Sequence, residues 1–413
     1  MRLYELIIKL KLTEIILFLL PISLVTGPLI PDLFMVSFSF YGLYLIFKKE
    51  IFLKFFKYII FFGILCIYLI SRSLLSDNIL LSLESSLFYL RFPLFAIGFG
   101  FFLYLNYQKI SYFCFGTILI IFLLLIDSLL QFITGYNLLG FQIVNLGRIS
   151  SFFKDELILG SYVSRVFPIL IYSLLYLFKN KKKILQFSYI FSISLCFVLV
   201  YISGERTAMA IFVIANLLLI VNLKTYRKVF LYSLLFISIF VVVLNSHNDH
   251  IKHRLIAHTI YQLTENSKTI NIFSKVHQEH FYSAYLMFND NKFFGKGPKT
   301  FRYECKKEKF NPSGCSSHPH NIFFQVISET GLVGLLFLIY IYYKIILSLI
   351  KLKLDNKNLD TYKYIFLTAI IINILPIIPS GNLFNNWLNF IFYLPLALMI
   401  FVNLFEDKRF NKI

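Results

Sequence analysis

Apolar runs close to 20 residues long recur from one end of this 413-residue chain to the other. Folded as a helix, such a run is long enough to cross the hydrocarbon core of a bilayer. The chain is 58% hydrophobic and only 15% charged, too little polar side chain to cover a soluble surface. The spacing predicts about twelve spans, at roughly 12–26, 29–47, 55–73, 85–105, 110–133, 159–178, 184–203, 207–223, 229–245, 321–343, 364–379 and 385–404. The expected fold class is therefore all-α, a polytopic membrane protein in one domain over 1–413. One large inserted loop, 246–320, is expected to carry short amphipathic helices. The first apolar run flows into the second after Gly27-Pro28, so no cleavable leader is expected.

A net charge of +19 would by itself suit nucleic acid, but its distribution points elsewhere. Basic residues crowd the short loops after every second span: Lys48-Lys49, Lys179 to Lys183, Lys224 to Lys228, Lys351 to Lys363 and Lys408-Arg409. The loops between them carry far fewer. This positive-inside pattern puts both termini in the cytoplasm and expects no nucleic-acid partner. It places the 246–320 loop outside, together with the smaller loops at 72–84, 134–158, 203–207 and 379–386.

Three cysteines, Cys66, Cys114 and Cys196, sit within apolar spans and read as packing residues. Cys305 and Cys315 share the outer loop, where an oxidising compartment would let them pair. Closing so short a loop would add about 2–3 kcal/mol in the chain-entropy model. The alternative is two free thiols.

All eight histidines lie between His247 and His320. Histidine is the side chain best suited to move a proton near neutral pH. The cluster ends in His318-Pro319-His320-Asn321 at the mouth of a span. Most loop histidines are nevertheless solvated bystanders. His277 and His280 lie one turn apart, but no carboxylate set beyond Glu279 accompanies them, so no metal site and no cofactor is expected. Within the loop, Val276, His280, Phe281, Ala284, Tyr285 and Phe288 share one face of a predicted helix. That face would pack on the bundle or lie at the membrane interface. The segment Gly295-Lys296-Gly297-Pro298-Lys299-Thr300-Phe301-Arg302 sets tight turns among cations, which would suit a phosphate or a plain surface turn equally.

Arginines at the outer ends of spans carry more information. Ser203-Gly204-Glu205-Arg206-Thr207 is a tight turn that puts Arg206 in the first turn of a helix, where anions are favoured. Gly147-Arg148-Ile149-Ser150-Ser151-Phe152-Phe153-Lys154-Asp155-Glu156 leads into a span carrying Arg165. A charge within an apolar span is costly unless it faces a cavity or a partner, and Arg91 raises the same question. The bland reading of each is a snorkelling side chain that pins a helix end. Together they suit a polyanionic ligand such as a diphosphate.

His320-Asn321, nine residues, and then Gly331-Leu332-Val333-Gly334 resembles the pattern of the O-antigen ligase and O-antigen polymerase superfamily. The Gly-Arg-x-x-Ser-Phe-Phe segment, the Gly-Glu-Arg-Thr turn and the large loop after the ninth span resemble it too, over about 148–338. The resemblance implies metal-independent, inverting glycosyl transfer at the outer face of a bacterial inner membrane. The donor would be an undecaprenyl-diphosphate-linked glycan. The acceptor would be a lipid-linked repeat or lipid A core, with membrane lipids around the protein. On this basis His320 would be the general base. Arg206, Arg148 and Arg165 would clamp the diphosphate, with Arg302 and Lys296 as further binding residues. Asn321 would orient His320 or cap its helix. Glu329, two and a half turns on, would support the site or only pack. Gly331 and Gly334 would let helices approach closely. Segments 152–162 and Gly-x-Gly-Pro-x-x-Phe-Arg-x-x-Cys favour polymerase over ligase. A lipid-linked oligosaccharide transporter is the alternative from another class, but no inverted repeat is visible.

Overall fold

The computed structural model describes residues 11–145, 147–247, 249–264, 272–355 and 358–406. The basic pair Lys408-Arg409 and positions 356–357 of the Lys351 to Lys363 run lie outside these. Among the described residues there is no strand, only isolated bridges at Tyr136/Gln142 and Asn145/Arg148. The longer helices are α1 (Leu12–Ser23), α2 (Leu29–Ile46), α3 (Lys49–Leu74), α4 (Ile79–Ser86), α5 (Arg91–Leu105), α6 (Ile110–Thr134) and α7 (Leu159–Phe178). They continue as α8 (Lys182–Ile202), α9 (Arg206–Asn222), α10 (Lys224–His247), α11 (Lys275–Asp290), α12 (Ile322–Asp355), α13 (Asn358–Asn373) and α14 (Asn386–Glu406).

This is an all-α, multi-pass membrane architecture. Among the described residues nine helical stretches are long and apolar enough to cross a bilayer: Leu29–Ile46, Lys49–Leu74, Ile79–Leu105, Tyr107–Thr134, Leu159–Phe178, Lys182–Ile202, Tyr226–Leu244, Ile322–Leu352 and Asn386–Phe405. The other three expected spans are helical but shorter. Leu12–Ser23 and Arg206–Val221 are apolar helices of under 18 residues, and α13 has 16. Hydropathy marked the segments; it could not say how much of each run a helix would use.

The helices pack by ring contacts and close backbone approach. Phe95, Phe99, Phe113, Phe167, Phe366 and Phe390 are fully buried. Where α2 crosses α5, a Cβ at Gly42 would run into the Leu94 carbonyl, and one at Gly98 into the Phe38 carbonyl. Only glycine allows two helices this near.

One end of the bundle gathers the loops. Ile149 N donates to Ile202 O at 3.2 Å, and Ser380 N to His320 O at 2.8 Å. Lys307 Nζ reaches Asp77 at 2.7 Å. The Trp387 indole N–H donates to Leu24 O at 2.8 Å. The five loops read from the charge pattern as lying on one side thus meet at one end.

Within the large loop, α11 caps the bundle against α12. Phe281 stacks on Phe324 with ring centroids 4.5 Å apart and planes 6° from parallel. The buried face of α11 is His280, Phe281, Ser283, Ala284 and Met287. This corrects the expected face. Val276 and Tyr285 are exposed, because the contact with Phe324 rotates the helix toward Met287.

α12 is two helices joined at a break. Gly331 has φ 63° and ψ −159°, which is not helical. Leu332 N donates to Lys292 O and Val333 N to Phe293 O, while Lys296 N and Gly297 N donate to Ser328 O and Glu329 O. The loop backbone therefore satisfies the groups that the break frees. Arg72 Nη2 donates to Gly295 O at 2.7 Å, and Tyr68 Oη to Thr330 O at 2.5 Å, fixing loop and break to α3. The Gly331 reading is corrected here. The glycine admits loop backbone, since a Cβ would meet Phe293 and Gly295, not a neighbouring helix. A Cβ at Gly334 would meet only Thr330 and Val326 of its own helix.

Candidate active site

His320 ends the large loop just before α12, with a left-handed backbone at φ 56°. That conformation is uncommon for a residue with a Cβ and persists only where surroundings hold it. Ser380 does the holding. Its N–H donates to His320 O, and its carbonyl accepts from His318 Nε2 at 3.2 Å. The Ser380 hydroxyl is buried, with no hydrogen-bond partner among the described residues.

Four histidines converge. The His320 ring lies 4.0 Å from that of His318, 5.2 Å from His280 and 5.8 Å from His277, centroid to centroid. His280 Nδ1 donates to Gly314 O at 2.8 Å. His318 donates through Nε2, so its Nδ1 accepts from Ser317 Oγ at 2.9 Å. His277 Nδ1 pairs with Ser274 Oγ, the cap of α11.

Burial, reinforced by His318, His280 and His277, pushes the His320 pKa down to about 3. Burial likewise takes His318 down to about 4, with Arg302 and His280 adding to the effect. His277 is lowered by burial, then His280 and Arg206. Near neutral pH the rings of His320, His318 and His277 are uncharged, and each keeps a lone pair. Arg206 and Arg302 thus flank the histidines from opposite partners, His277 and His318. Among the described residues no group of three or more His, Cys, Asp or Glu side chains is arranged to hold a metal ion.

Beside His318 lies a cavity of about 1470 Å³ at the end of the bundle where the loops gather. Arg91, Arg165, Arg302, Lys154 and Lys299 line it. Arg165 is 4% exposed within α7, and its Nε and Nη1 have no hydrogen-bond partner among the described residues. The buried Nε atoms of Arg302 and Arg91 are also unpartnered there, though Arg91 faces Asp32 at 3.6 Å. Desolvated guanidinium donors left open this way call for an anionic ligand.

The remaining expected residues fall elsewhere. Arg206 begins α9 and donates to Gln262 Oε1 at 2.7 Å. Arg148 donates to Leu157 O at 3.0 Å. Both stand by the Gly204-Glu205 turn, outside the lining of the cavity. Glu205 is buried and accepts from Gly160 N at 2.7 Å and Ser161 N at 3.3 Å, so it caps the start of α7. Burial raises its pKa against the pull of Ser161 and Arg148. Lys296 pairs with Asp290 and lies over the Phe310 ring, away from the cavity.

The Gly295–Phe301 segment is no phosphate cradle. Its backbone donors go to Ser328, Glu329 and the Glu329 carboxylate, which takes Phe301 N at 2.9 Å. Lys299 and Arg302 from the same segment do reach the cavity. Asn321 caps α12, its Oδ1 accepting from Phe324 N at 3.2 Å and its Nδ2 donating to Pro376 O at 2.7 Å. Glu329 is buried and accepts from Gln325 Nε2 at 2.9 Å. Gln325 also donates to Asn382 Oδ1 at 2.8 Å, which ties the break in α12 to the 379–386 loop. Cys305 and Cys315 are bonded, with Cα atoms 5.1 Å apart.

Sequence reasoning missed His277, His280, Lys154, Asn382 and Trp387 as neighbours of the site. The His277/His280 spacing was a signal that α11 turns two rings to one side. Nothing local in the sequence announced that this helix would dock beside His320.

A helical membrane bundle with a histidine cluster and an arginine-lined cavity at one end defines a class: a multi-pass membrane protein with a cation-rich cavity among its loops. Residues 191–339 match the family model described as O-antigen ligase. Over this segment, about a third of its length, the chain is similar to that family. The match runs from α8 through the His320 and Gly331 positions. No curated protein matches the chain.

Proposed function

We propose that this chain is a glycosyltransferase that takes a glycan from undecaprenyl diphosphate at the outer face of a bacterial inner membrane. The observation that carries the reading is the cavity. It joins unpartnered guanidinium donors of Arg165 and Arg302 to His318, whose ring lies 4.0 Å from that of His320. An acceptor hydroxyl loses its proton to His320 as it attacks the anomeric carbon. The C–O bond to the diphosphate breaks with inversion, and the lipid diphosphate leaves as an anion. Arg165, Arg302 and Lys299 stabilise the charge that develops on it. The departing anion beside His320 also offsets the burial that disfavours an imidazolium.

Arg206 and Arg148 belong on the approach side of this reaction, near His277. There they face the second substrate or the outer phosphate of the first. Within this scheme polymerisation of lipid-linked repeats is the principal reading. The 152–162 segment and the Gly295–Cys305 segment support it, since both wall or hold the cavity. Transfer to lipid A core is the second reading, favoured by the description of the matching family model. Glycan analysis of a deletion strain separates them. Single capped repeats mean polymerase, loss of all surface chains means ligase, and unaltered surface glycan overturns both.

A further inference from the structure

The cavity has a second wall that anion binding leaves unused. The chain contains a single tryptophan, Trp387, and it lines this cavity at the start of α14. Its N–H is held by Leu24 O at 2.8 Å, so the indole cannot swing freely about its side-chain bonds. Phe153 meets it edge-on, with centroids 6.1 Å apart and planes at 82°. Tyr162 lies behind, 6.3 Å away. The ring is half-buried, so a surface remains open to the cavity.

The lining of the same cavity also carries neutral and acidic hydrogen-bonding groups, with Lys154 next to the acidic pair. Asn385 and Asn386 precede it and are exposed at the cavity wall. Asn385 Oδ1 caps α14 by accepting from Leu388 N at 3.0 Å. Asp155 and Glu156 are exposed on the same wall, and among the described residues neither forms an ion pair. Two polar residues buried in α6 hold their loop in place. Asp127 Oδ2 accepts from Ser151 Oγ at 2.5 Å, and Gln131 Oε1 accepts from Ser151 N at 2.7 Å. A fixed aromatic face flanked by carboxylates and amides is what a pyranose needs. The apolar C–H face of a sugar lies on a ring, while its hydroxyls donate to carboxylates and bond amides.

We infer that Trp387, with Asn386, Asp155 and Glu156, forms a subsite for an uncharged sugar ring, separate from the arginine wall that takes the diphosphate. The inference rests on the glycosyl-transfer reading for its substrate class. Carboxylates at the subsite disfavour acidic sugars, which sets the charge preference.

Because Trp387 is the sole tryptophan, its emission reports on this subsite alone. The test is a titration of the purified full-length protein in lipid nanodiscs. The probes are the oligosaccharide repeat released from the producing strain's own glycan, an oligogalacturonide, and inorganic diphosphate. The repeat should change the emission saturably, and the oligogalacturonide should not. Diphosphate should leave the repeat's affinity within about twofold. Trp387→Ala should weaken repeat binding at least tenfold by calorimetry, and Trp387→Phe should recover most of it. Asp155→Asn and Asn386→Ala serve where the alanine variant does not fold, each expected to weaken binding several-fold. Unchanged emission at saturating repeat, or wild-type affinity in Trp387→Ala or in both polar variants, overturns the subsite. Chain elongation in a complemented deletion strain is read separately. Normal elongation by His320→Ala overturns the transfer reading, whereas normal elongation by Trp387→Ala with His320→Ala inactive overturns the subsite alone.

Discussion

His320 and His280 lie nearly face to face, 5.2 Å between ring centroids and 28° between planes. Their positions in the chain are forty residues apart, and the loop between them folds back to make the contact. His280 Nδ1 donates to Gly314 O at 2.8 Å, which fixes the ring against His320.

His320→Ala should lower glycosyl transfer by roughly two to four orders of magnitude, the usual range for a proton-transfer group. His318→Ala should cost less, because its Nε2 is engaged by Ser380. Turnover of lipid-linked substrate by purified variants checks both. Near-wild-type transfer by His320→Ala would remove it from the chemistry.

Arg165→Ala and Arg302→Ala should each raise the donor's apparent Kd by at least tenfold, about 1.4 kcal/mol or more, as expected for a charge-assisted contact. Arg165→Lys should recover little, since an ammonium lacks the planar fork. Arg206→Lys should be partly active at best. Binding of a radiolabelled lipid diphosphate to nanodisc-held protein measures these. If Arg165→Ala binds normally, the cavity's open donors are not the diphosphate site.

Acid should loosen the histidine cluster. Unfolded histidine titrates near 6.5, whereas His320 and His318 sit at about 3 and about 4 in the fold. The unfolded state then binds more protons between these values, so stability is complete above about pH 6.5 and is lost as pH falls toward 4. Proteolysis of the large loop should accelerate over that window, and His320→Gln should flatten the profile. A flat profile in the parent protein would contradict the burial of these rings.

Gly331→Ala should destabilise the protein by about 1–3 kcal/mol, because its backbone lies in a region that residues with a Cβ avoid. Loss should show as a lower melting temperature and as protease access at 291–300. Glu329→Gln keeps the shape and the Gln325 contact while weakening acceptance from Phe301 N, and should cost less. Equal melting of Gly331→Ala and the parent would mean that the break is not needed.

Mass mapping without reductant should find the Cys305 and Cys315 peptides joined. Replacing both by serine should reduce transfer more than expression if the bond positions His318-Pro319-His320. If it only guards the loop, activity per folded molecule will be unchanged. Free alkylation of both thiols in protein from its native membrane would exclude the bond.

Much of this fold was legible because lipid imposes a simple rule on sequence: a span must be apolar for about 20 residues. All twelve apolar segments became helices for that reason. Arg165 was legible for the converse reason, since a charge inside such a run has to face something. The Asn321 cap could be read from local chemistry alone. Other features depended on contacts between distant segments. The break at Gly331 looked like a packing glycine until the 292–297 backbone was seen pairing with it. Arg148 and Arg206 matched an expected pattern of cations, yet the fold sets them at a different wall from Arg165. Lys296 read as a phosphate ligand and turned out to neutralise Asp290. Trp387 carried no motif, and its place in the cavity depends on Leu24, some 360 positions earlier.

The break in α12 has a mechanical consequence. The piece after Gly331 alone runs to Asp355, about 36 Å of helix, longer than the roughly 30 Å of hydrocarbon it must traverse. The nine residues before the break add about 13 Å and are tied to α3 and to the 379–386 loop instead. Leu332 N and Val333 N are bound to the Lys292 and Phe293 carbonyls, so the lower rod starts from the same loop that carries the imidazoles.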